Sequence, residues 1–539
     1  MRLPFLTNRL LPGLAALTGL ALMLLSLGHT GPRDLFSFIN ADSMYFHAMY
    51  NDLLVEGNCL WGWDLNTTFN LMPNALLYIL ALLLVNDPLI SQMVHGLLQY
   101  ALFLWAGWYL LRSLQPRPTA AAIATALLLP AWFFINAMHH GNYFLAAQFY
   151  HPYHLGALIM SCWVAGLNLR QLQQPARRHI PWIILLVALA TFSNRIFLMM
   201  FFVPWLGALG VLWLVRPHQR SALLRNGAWN TLGVAAGILL FILVKNIRGL
   251  SFQPTRMFSW DNVWPSFQAL WNTYLDFFLR SPVLGGIMLL SLAAYAAIAV
   301  KTLRQLRGDT APGQAPGSML YFLLFTLWLV PVVFIAPAAN GMFFSMASAR
   351  YNFFVMVWLM LCAAPLMQGL WQGRPWQSIP HRSIFWATLL LTLGSAAWLL
   401  RTHPPVQGLR TLAAYYPGRA RCVDQATQTH QLKDGIATFW DAKPITALSR
   451  EGIRVRQVYP DLRPYYLGAS RNWYFPYCQS MPRPVFNFIV HDNNLDPEAI
   501  RNTFGQHIDT LNLEHCTIYL VPEFSFREDR SIHVRGLVD

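Results

Sequence analysis

Long apolar segments dominate this chain of 539 residues and restrict what it can fold into. Only 11% of the residues are charged, whereas a soluble domain carries about a quarter charged residues. Apolar runs of roughly 20 residues, rich in Leu, Phe and Trp, have the length of membrane-spanning helices. The sequence therefore predicts a polytopic α-helical membrane protein.

Eleven membrane-spanning helices are predicted from these segments, although some are short. They lie near residues 10–28, 89–111, 120–136, 153–170, 181–194, 196–215, 227–244, 282–300, 319–336, 351–368 and 384–400. The first segment has the look of a secretory signal peptide, but no small-x-small cleavage site follows it, so we expect a retained helix. Residues 74–85 are apolar but short, and we expect them to lie in or dip into the outer leaflet.

Arginine and lysine are concentrated in alternate short loops, which sets the orientation expected for the chain. The loops expected in the cytoplasm contain Arg2 and Arg9, then Arg112 and Arg117, Arg170, Arg177 and Arg178, Arg216, Arg220 and Arg225, Lys301, Arg304 and Arg307, and Arg374 and Arg382. This pattern predicts a bacterial inner-membrane protein with a cytoplasmic N-terminus. It also explains the net charge of +15 without nucleic acid.

The composition becomes polar and rich in turns from about Arg401. Strand-like runs at 485–490 and 517–521 flank a helix start at 496–500, with Pro497 in the first turn. We therefore predict a transmembrane domain over 1–400, whose first periplasmic loop covers about 29–88. A soluble periplasmic α/β domain is predicted over 401–539.

The cysteines divide between the two predicted environments. Cys162 and Cys362 fall within predicted spans and are expected to be packing residues. The other four fall on the outer side, where an oxidising compartment permits disulfides; these are Cys59, Cys422, Cys478 and Cys516. Four cysteines allow three connectivities, of which we favour Cys422–Cys516 because the two bracket the soluble domain. Their spacings do not indicate a zinc site.

Asp42 is the first candidate catalytic residue. It lies about a dozen residues past the first predicted span and just before an amphipathic stretch at 44–50. A carboxylate at a membrane face is costly to desolvate, and facing a cavity it can act as a general base. The neighbouring Asp34, Asp52 and Glu56 are expected to form a solvated acidic surface.

The outer loop at 137–154 contains four histidines, His139, His140, His151 and His154. Imidazoles near one membrane face can bind a metal or shuttle protons. The alternative is that they are ordinary interfacial residues, hydrogen-bonded to water and headgroups. The sequence leaves both open.

Basic residues on the outer side each require an explanation, because positive charge is disfavoured there. Arg350, beside Tyr351 at the start of a predicted span, suits bidentate contact with a phosphate. Lys245 and Arg248 follow another span and can add to such a site. For the other outer basic residues, Arg195 among them, we expect simple snorkelling to headgroups.

Residues 40–76 resemble the C-type (GT-C) integral-membrane glycosyltransferases, in the branch of protein O-mannosyltransferases and bacterial aminoarabinose transferases. The resemblance rests on Asp42-Ser43-Met44-Tyr45, Gly57-Asn58-Cys59-Leu60-Trp61, Asp64 and Met72-Pro73-Asn74-Ala75-Leu76. It implies inverting transfer from a polyprenyl-phosphate-linked sugar, with Asp42 as the base.

The same resemblance implies substrate-binding roles for Tyr45, Asp64, His154 and Tyr351. Two positions depart from the family pattern. Met72 stands where the family has a lysine, and His151 stands where it has a second acid, so His151 is expected to take a catalytic role. No cofactor is implied: some C-type relatives need a divalent cation, but this branch is metal-free.

The expected function is thus transfer of a sugar to a glycolipid, lipopolysaccharide or protein on the periplasmic side. The partners are the donor lipid, the acceptor and membrane lipids. One alternative is a transporter or flippase for a lipid-linked sugar, which the clustering of ionisable residues at the ends of spans disfavours. Another is a non-catalytic glycan-assembly subunit whose aromatic residues, such as Trp473 and Tyr474, stack on sugar rings.

Overall fold

The computed structural model describes residues 3–28, 34–66, 68–85, 87–115, 118–151, 154–247, 249–252, 258–307, 318–371, 381–402, 414–477 and 483–534. Arg248 and Cys478, both named above, lie outside these residues.

Helices make up most of the chain before the C-terminal domain. In order they are α1 (Leu3–Leu27), α2 (Tyr45–Tyr50), α3 (Leu76–Val85), α4 (Pro88–Arg112), α5 (Ala120–His139), α6 (Tyr143–Ala147), α7 (His154–Gln173), α8 (His179–Ser193), α9 (Val203–Val215), α10 (Arg220–Lys245), α11 (Trp260–Arg280), α12 (Pro282–Arg307), α13 (Ser318–Ala339), α14 (Phe353–Trp371) and α15 (His381–Thr402). Two short strands interrupt them, β1 (Trp63–Leu65) and β2 (Ser251–Phe252).

Nine helical segments in the described part of the chain are long and apolar enough to cross a membrane. They are Leu10–Leu27, Pro88–Arg112, Ala120–His139, His154–Gln173, Leu198–Val215, Pro217–Lys245, Pro282–Leu306, Ser318–Ala339 and Arg382–Thr402. The chain is therefore a multi-pass membrane protein. The two other predicted spans, 181–194 and 351–368, correspond to shorter apolar helices, His179–Ser193 and Phe353–Ala363.

The short apolar segment at 74–85 also forms a helix, α3, which packs against α4. At 1.5 Å per residue its ten residues reach about 15 Å, half the thickness of the hydrocarbon core. Leu83 and Leu84 on α3 are exposed. Such a helix is long enough to enter one leaflet but not to cross the bilayer.

Buried asparagines join three of the spanning helices. Asn226 and Asn230 of α10 each donate a hydrogen bond of 2.8 Å to the Oδ1 of Asn168 on α7. The indole of Trp205 on α9 donates to Asn226 at 2.9 Å. Polar side chains that satisfy one another in this way hold helices together in a lipid environment.

Helix α11 was not predicted, because its segment was treated as part of an outer loop. One face of α11 is buried through Leu270, Tyr274 and Phe277. The other face carries exposed tryptophans, including Trp260 and Trp264. Exposed tryptophans on an amphipathic helix are typical of the membrane–water interface.

The C-terminal domain contains a six-stranded mixed sheet flanked by helices. The strands of the domain are β3 (Asp434–Thr438), β4 (Arg454–Val458), β5 (Ala469–Ser470), β6 (Phe486–His491), β7 (Asp509–Leu513), β8 (Cys516–Phe526) and β9 (Ile532–Val534), and its helices are α16 (Gly418–His430), α17 (Phe439–Leu448) and α18 (Pro497–Phe504). All of these strands except β5 belong to the six-stranded sheet. The sheet order is β4-β3-β6-β8-β7, with β9 paired to β8, and β3 runs parallel to β4 and β6. The predicted strand, helix and strand are confirmed as β6, α18 and β8.

A disulfide between Cys422 and Cys516 ties α16 to β8. This is the pairing that the sequence favoured. Cys59 in the first loop is also disulfide-bonded, whereas Cys162 and Cys362 are buried free thiols.

Removing the Cys422–Cys516 bond should destabilise the C-terminal domain. The bond closes a segment of 94 residues, so the variant Cys422→Ser with Cys516→Ser should lose about 2–5 kcal/mol of stability. Thermal unfolding of the purified protein, with and without reductant, checks this. Cys162→Ser is the matched control, and equal melting temperatures for the double variant and the parent would contradict the expectation.

The first loop packs against the C-terminal domain. Strand β1 pairs in parallel with β2 and antiparallel with β5, so three distant parts of the chain form one small sheet. Asp52 lies in this contact and accepts hydrogen bonds from the indoles of Trp63 at 2.7 Å and Trp473 at 2.6 Å. The predicted solvated position of Asp52 is therefore wrong: its carboxylate is buried and holds the domain to the loop.

Candidate functional site

A cavity of about 400 Å³ lies where the first loop, the ends of several helices and the C-terminal domain meet. We call it the Asp42 cavity. Its polar lining residues are Asp42, Asn66, Thr68, His154, Arg195, Asn340, Arg350 and Tyr351. Apolar residues from α13 and from the segment before α9 line the rest, and Leu467 reaches it from the C-terminal domain. A lining of both charged and apolar side chains suits a ligand that has a charged head and an apolar tail.

A tight turn presents Asp42 to the cavity. The Oδ1 of Asn40 accepts hydrogen bonds from the backbone N–H groups of Asp42 at 3.0 Å and of Ser43 at 3.1 Å. The Oγ of Ser43 in turn accepts from the backbone N–H of Asn40 at 2.8 Å. These bonds fix the backbone through the side chains of Asn40 and Ser43, so the carboxylate of Asp42 stays directed at the cavity.

Arg350 faces Asp42 across the cavity. Its Nη1 lies 3.6 Å from the Oδ2 of Asp42, and the two side chains are 33% and 25% exposed. Its Nη2 donates to the hydroxyl of Tyr351 at 3.2 Å. At 3.6 Å the two atoms form an ion pair without a hydrogen bond of good geometry between them.

His154 and Tyr351 form one wall of the cavity, with ring centroids 5.3 Å apart. The structure thus brings together Asp42, His154, Arg350 and Tyr351, all of which were expected to act in the site. They come from the first loop, the start of α7 and the turn before α14.

His151 is not among the residues that line the cavity. It is buried, 5% exposed, just before α7. Burial lowers its pKa to about 4, an effect that the nearby Asp42 carboxylate opposes. The imidazole is therefore neutral at pH 7. His151 lies near enough to Asp42 to feel its charge, and the catalytic role expected for it stays a prediction.

Tyr45 and Asp64, expected to bind substrate, lie instead in the contact between the first loop and the C-terminal domain. Tyr45 is buried, and its ring packs edge-on against Trp63 with centroids 6.3 Å apart. Asp64 lies on β1 and is 7% exposed. Burial raises the pKa of Asp64 from 3.8 to about 6, against the opposing effects of Ser251, Arg471 and Arg530.

Stability should fall with pH because of Asp64. A carboxyl group whose pKa is raised in the folded protein contributes its full share to the free energy of unfolding at a pH below its ordinary pKa. For Asp64 this contribution is lost as the pH rises through about 6. Asp64→Asn should therefore become more stable relative to the parent between pH 4 and pH 7, by on the order of 1–3 kcal/mol. Melting temperatures across this range check it, with the exposed Asp461→Asn as control; a pH-independent difference would refute it.

The remaining basic residues are placed differently from the prediction. Lys245 is exposed at the end of α10 and does not line the cavity, and Arg248 is not described. Arg195, which was expected only to snorkel, lines the cavity, with its guanidinium 4.8 Å from the centroid of Phe241.

Arg195 is held in place by a break between α8 and the helical turn before α9. There the Nδ2 of Asn194 donates to the Oδ1 of Asn70 at 2.8 Å, and the carbonyl of Ser193 accepts from the backbone N–H of Asn70 at 2.8 Å. The first loop therefore docks onto this break. The polar triplet Ser193-Asn194-Arg195 within an apolar stretch was the sequence signal that could have identified it.

Lys443 of α17 was not predicted to have any role. It is buried, and its Nζ donates to the carbonyl of Leu467 at 3.3 Å and lies 4.5 Å from the centroid of Phe439. Burial lowers its pKa to about 7, while the Asp42 carboxylate favours its charged form. The C-terminal domain thus places an ammonium group next to the Asp42 cavity.

The described residues contain no group of three or more His, Cys, Asp or Glu side chains arranged to bind a metal ion. The rings of His139 and His140 pack edge to face, with centroids 5.0 Å apart, and neither residue lines the Asp42 cavity. The chemistry available in the cavity is that of one carboxylate, two guanidiniums, an imidazole and a phenol.

Neither a family model nor a curated protein sequence matches the chain. Among solved structures it is similar to an oligosaccharyltransferase from Archaeoglobus fulgidus, crystallised as a complex with Zn and sulfate. The similarity covers 94% of this chain and 73% of that chain, with a TM-score of 0.45 and 11% identity. A likeness of this size supports no functional inference, so function has to be argued from the residues of this chain.

Proposed function

We propose that this protein is a membrane glycosyltransferase that moves a sugar from a polyprenyl-phosphate-linked donor to an acceptor at the Asp42 cavity. The observation that carries the proposal is the pairing of Asp42 with Arg350 in a cavity lined by both charged and apolar side chains. A carboxylate can activate the acceptor, and a guanidinium can bind the donor phosphate. The acceptor is a glycolipid, a lipopolysaccharide or a protein.

The proposed reaction is a single displacement with inversion. Asp42 takes the proton of an acceptor hydroxyl or amine as that group attacks the anomeric carbon of the sugar. The bond from this carbon to the phosphate oxygen breaks, and polyprenyl phosphate leaves with the bonding electrons. Arg350 and Arg195 stabilise the negative charge that grows on the phosphate. Binding of the phosphate draws Arg350 from Asp42, which frees the carboxylate to act as the base.

The isoprenoid tail of the donor is proposed to bind in a second cavity, of about 400 Å³. It is lined by α5, α12, α14 and α15, with residues such as Trp132, Ala294 and Leu359. Helix α14 begins at Phe353, three residues after Arg350, and Leu359 lies six residues, or about 9 Å of helix, beyond Phe353. The apolar walls suit an isoprenoid chain whose phosphate is held at Arg350.

We also propose that the Asp42 side faces the periplasm of a bacterial inner membrane, with the N-terminus in the cytoplasm. The alternation of Lys and Arg between loops supports this orientation. The Cys422–Cys516 disulfide supports it too, since disulfides persist in oxidising compartments.

Lys443 should make transfer depend on pH. Its Nζ is hydrogen-bonded to Leu467, which lines the Asp42 cavity, and its charge acts on Asp42. Its pKa of about 7 means that this charge is lost as pH rises above neutrality. We expect the rate of transfer by the parent to decline above about pH 7. Lys443→Arg, which stays charged, should move that decline to higher pH. If the rate of transfer by Lys443→Arg declined over the same pH range as that of the parent, this role of Lys443 would be excluded.

A deletion strain tests the proposed function. Mass spectrometry should show that one sugar is missing from a lipid or surface glycan and that the polyprenyl-phosphate-linked sugar accumulates. The parent gene should reverse both changes, and an Asp42→Asn gene should reverse neither. Complementation by Asp42→Asn would instead favour transport or assembly.

A further inference from the structure

A second polar cavity, of about 210 Å³, lies at the opposite end of α7 from the Asp42 cavity. We call it the arginine cavity, because Arg112, Arg170 and Arg178 line it together with Ser113, Gln173 and His179. His154 at the start of α7 lines one cavity and Gln173 at its end lines the other. The 20 residues of α7 span about 30 Å, which is the thickness of the hydrocarbon core.

The arginine cavity has a defined hydrogen-bonded framework. The Nε of Arg170 donates to the Oγ of Ser113 at 2.9 Å, and the Nε2 of Gln173 donates to the carbonyl of Ser113 at 2.7 Å. The guanidinium of Arg170 also lies 4.2 Å from the ring centroid of Tyr109, and that of Arg112 lies 5.1 Å from that of Trp108. Arg170 is thereby held through Nε and its ring contact, which leaves its two terminal amino groups for a ligand.

Within the described part of the chain, no carboxylate forms an ion pair with the positive charge of this cavity. The sequence contains no Asp or Glu between Asp87 and Asp261. Among the residues that the structure describes, none of the three arginines forms an ion pair with a carboxylate. A preference for arginine in loops on one side of the membrane explains their presence. It does not explain why three converge with neutral hydrogen-bonding side chains on one cavity.

We propose that the arginine cavity binds the phosphate group of an anionic lipid on the side of the membrane opposite Asp42. Guanidiniums grip phosphate oxygens in a bidentate fork, and basic pockets between membrane helices are sites for anionic headgroups. Trp182, one turn into α8, is 58% exposed and places the cavity at the level of the headgroups. A phosphate bound here neutralises the repulsion between the guanidiniums and clamps the ends of α4 and α7 to the start of α8. This inference does not depend on the proposed transferase activity.

Native mass spectrometry of the purified protein tests the proposal. The protein is incubated with phosphatidylglycerol or phosphatidylcholine, and the number of bound lipids is counted as the collision energy in the mass spectrometer is raised. We expect phosphatidylglycerol to be retained and phosphatidylcholine to be lost. Arg170→Gln with Arg178→Gln should weaken retention of phosphatidylglycerol about 10-fold. The matched pair Arg220→Gln with Arg225→Gln, in the first turns of α10 on the same expected side, should not.

Two further arms separate the possible outcomes. Arg178 is exposed and donates no hydrogen bond within the described residues, so Arg178→Gln alone tests the cavity without disturbing its framework. Inorganic phosphate is added as a competitor to distinguish a lipid from a free anion. Displacement of phosphatidylglycerol by millimolar phosphate would assign the cavity to free phosphate and overturn a lipid site. Equal loss of retention in the cavity pair and the control pair would overturn the proposal altogether.

Discussion

Asp42→Asn should abolish sugar transfer while leaving the protein folded and able to bind its donor. The amide keeps the shape of the carboxylate and the backbone turn set by Asn40, but it cannot accept the acceptor proton. General-base catalysis contributes about 10²–10⁴-fold, so kcat should fall by that factor. The measurement is turnover of the purified variant with the donor that accumulates in the deletion strain.

The control for Asp42→Asn is Asp461→Asn, which removes a carboxylate that pairs with Arg463 on the surface of the C-terminal domain. It should transfer sugar at the rate of the parent. A dissociation constant for the donor within a few-fold of the parent value would show that the Asp42→Asn variant is folded and keeps its donor site. If Asp42→Asn kept more than about a tenth of the parent kcat, the carboxylate would not be the base.

Arg350→Gln should have the second largest effect, by removing the charge that holds the leaving phosphate. Loss of one such electrostatic contact costs about 10²–10³-fold in rate. We expect kcat/KM for the donor to fall by that amount. Arg350→Lys keeps the charge but not the planar fork, so it should recover only part of the loss.

Arg280→Gln is the matched control for Arg350, because Arg280 is exposed on α11 and pairs with Asp276. Its kcat/KM should equal that of the parent. Kinetics with varied donor and varied acceptor separate the two halves of the site. A loss in Arg350→Gln that appeared only in KM for the acceptor would contradict its assignment to the donor phosphate.

Much of the fold follows from local patterns in the sequence. Apolar runs mark the spanning helices because every backbone polar group in a bilayer has to be satisfied within a helix. Strands β6 and β8 and helix α18 were recognised from β-branched residues and from Asp496-Pro497, which begins the helix. Helix α11 was missed because only one of its faces is apolar, and polar residues such as Asn262, Gln268 and Asp276 interrupt the apolar run that would suggest a span.

Parts of the candidate site were predictable for a related reason. His154, Arg350 and Tyr351 lie at the outer ends of predicted spans, and Asp42 lies in the outer loop after the first span, so the topology alone places all four on one side of the membrane. The resemblance of residues 40–76 to C-type transferases added to this for Asp42, but it also led to assigning Tyr45 and Asp64 to the site.

The remaining parts of the site depend on contacts across hundreds of residues. Asp52 is buried only because Trp473 packs against the first loop, and Lys443 approaches Asp42 only because the C-terminal domain docks there. Arg195 reaches the cavity through the docking of Asn70 on Asn194. The polar triplet Ser193-Asn194-Arg195 marks the break that Asn70 docks onto, but no local pattern reports which part of the chain docks there, so the contacts of these three residues could not be assigned from the sequence.

Reconstituted protein, given the accumulated donor and its acceptor, distinguishes a transferase from a transporter in one experiment. Mass spectrometry follows the glycosylated acceptor and free polyprenyl phosphate together. We expect one polyprenyl phosphate for each sugar transferred, with both products absent for Asp42→Asn. Movement of intact donor across the vesicle membrane, without release of polyprenyl phosphate, would contradict transfer at the Asp42 cavity.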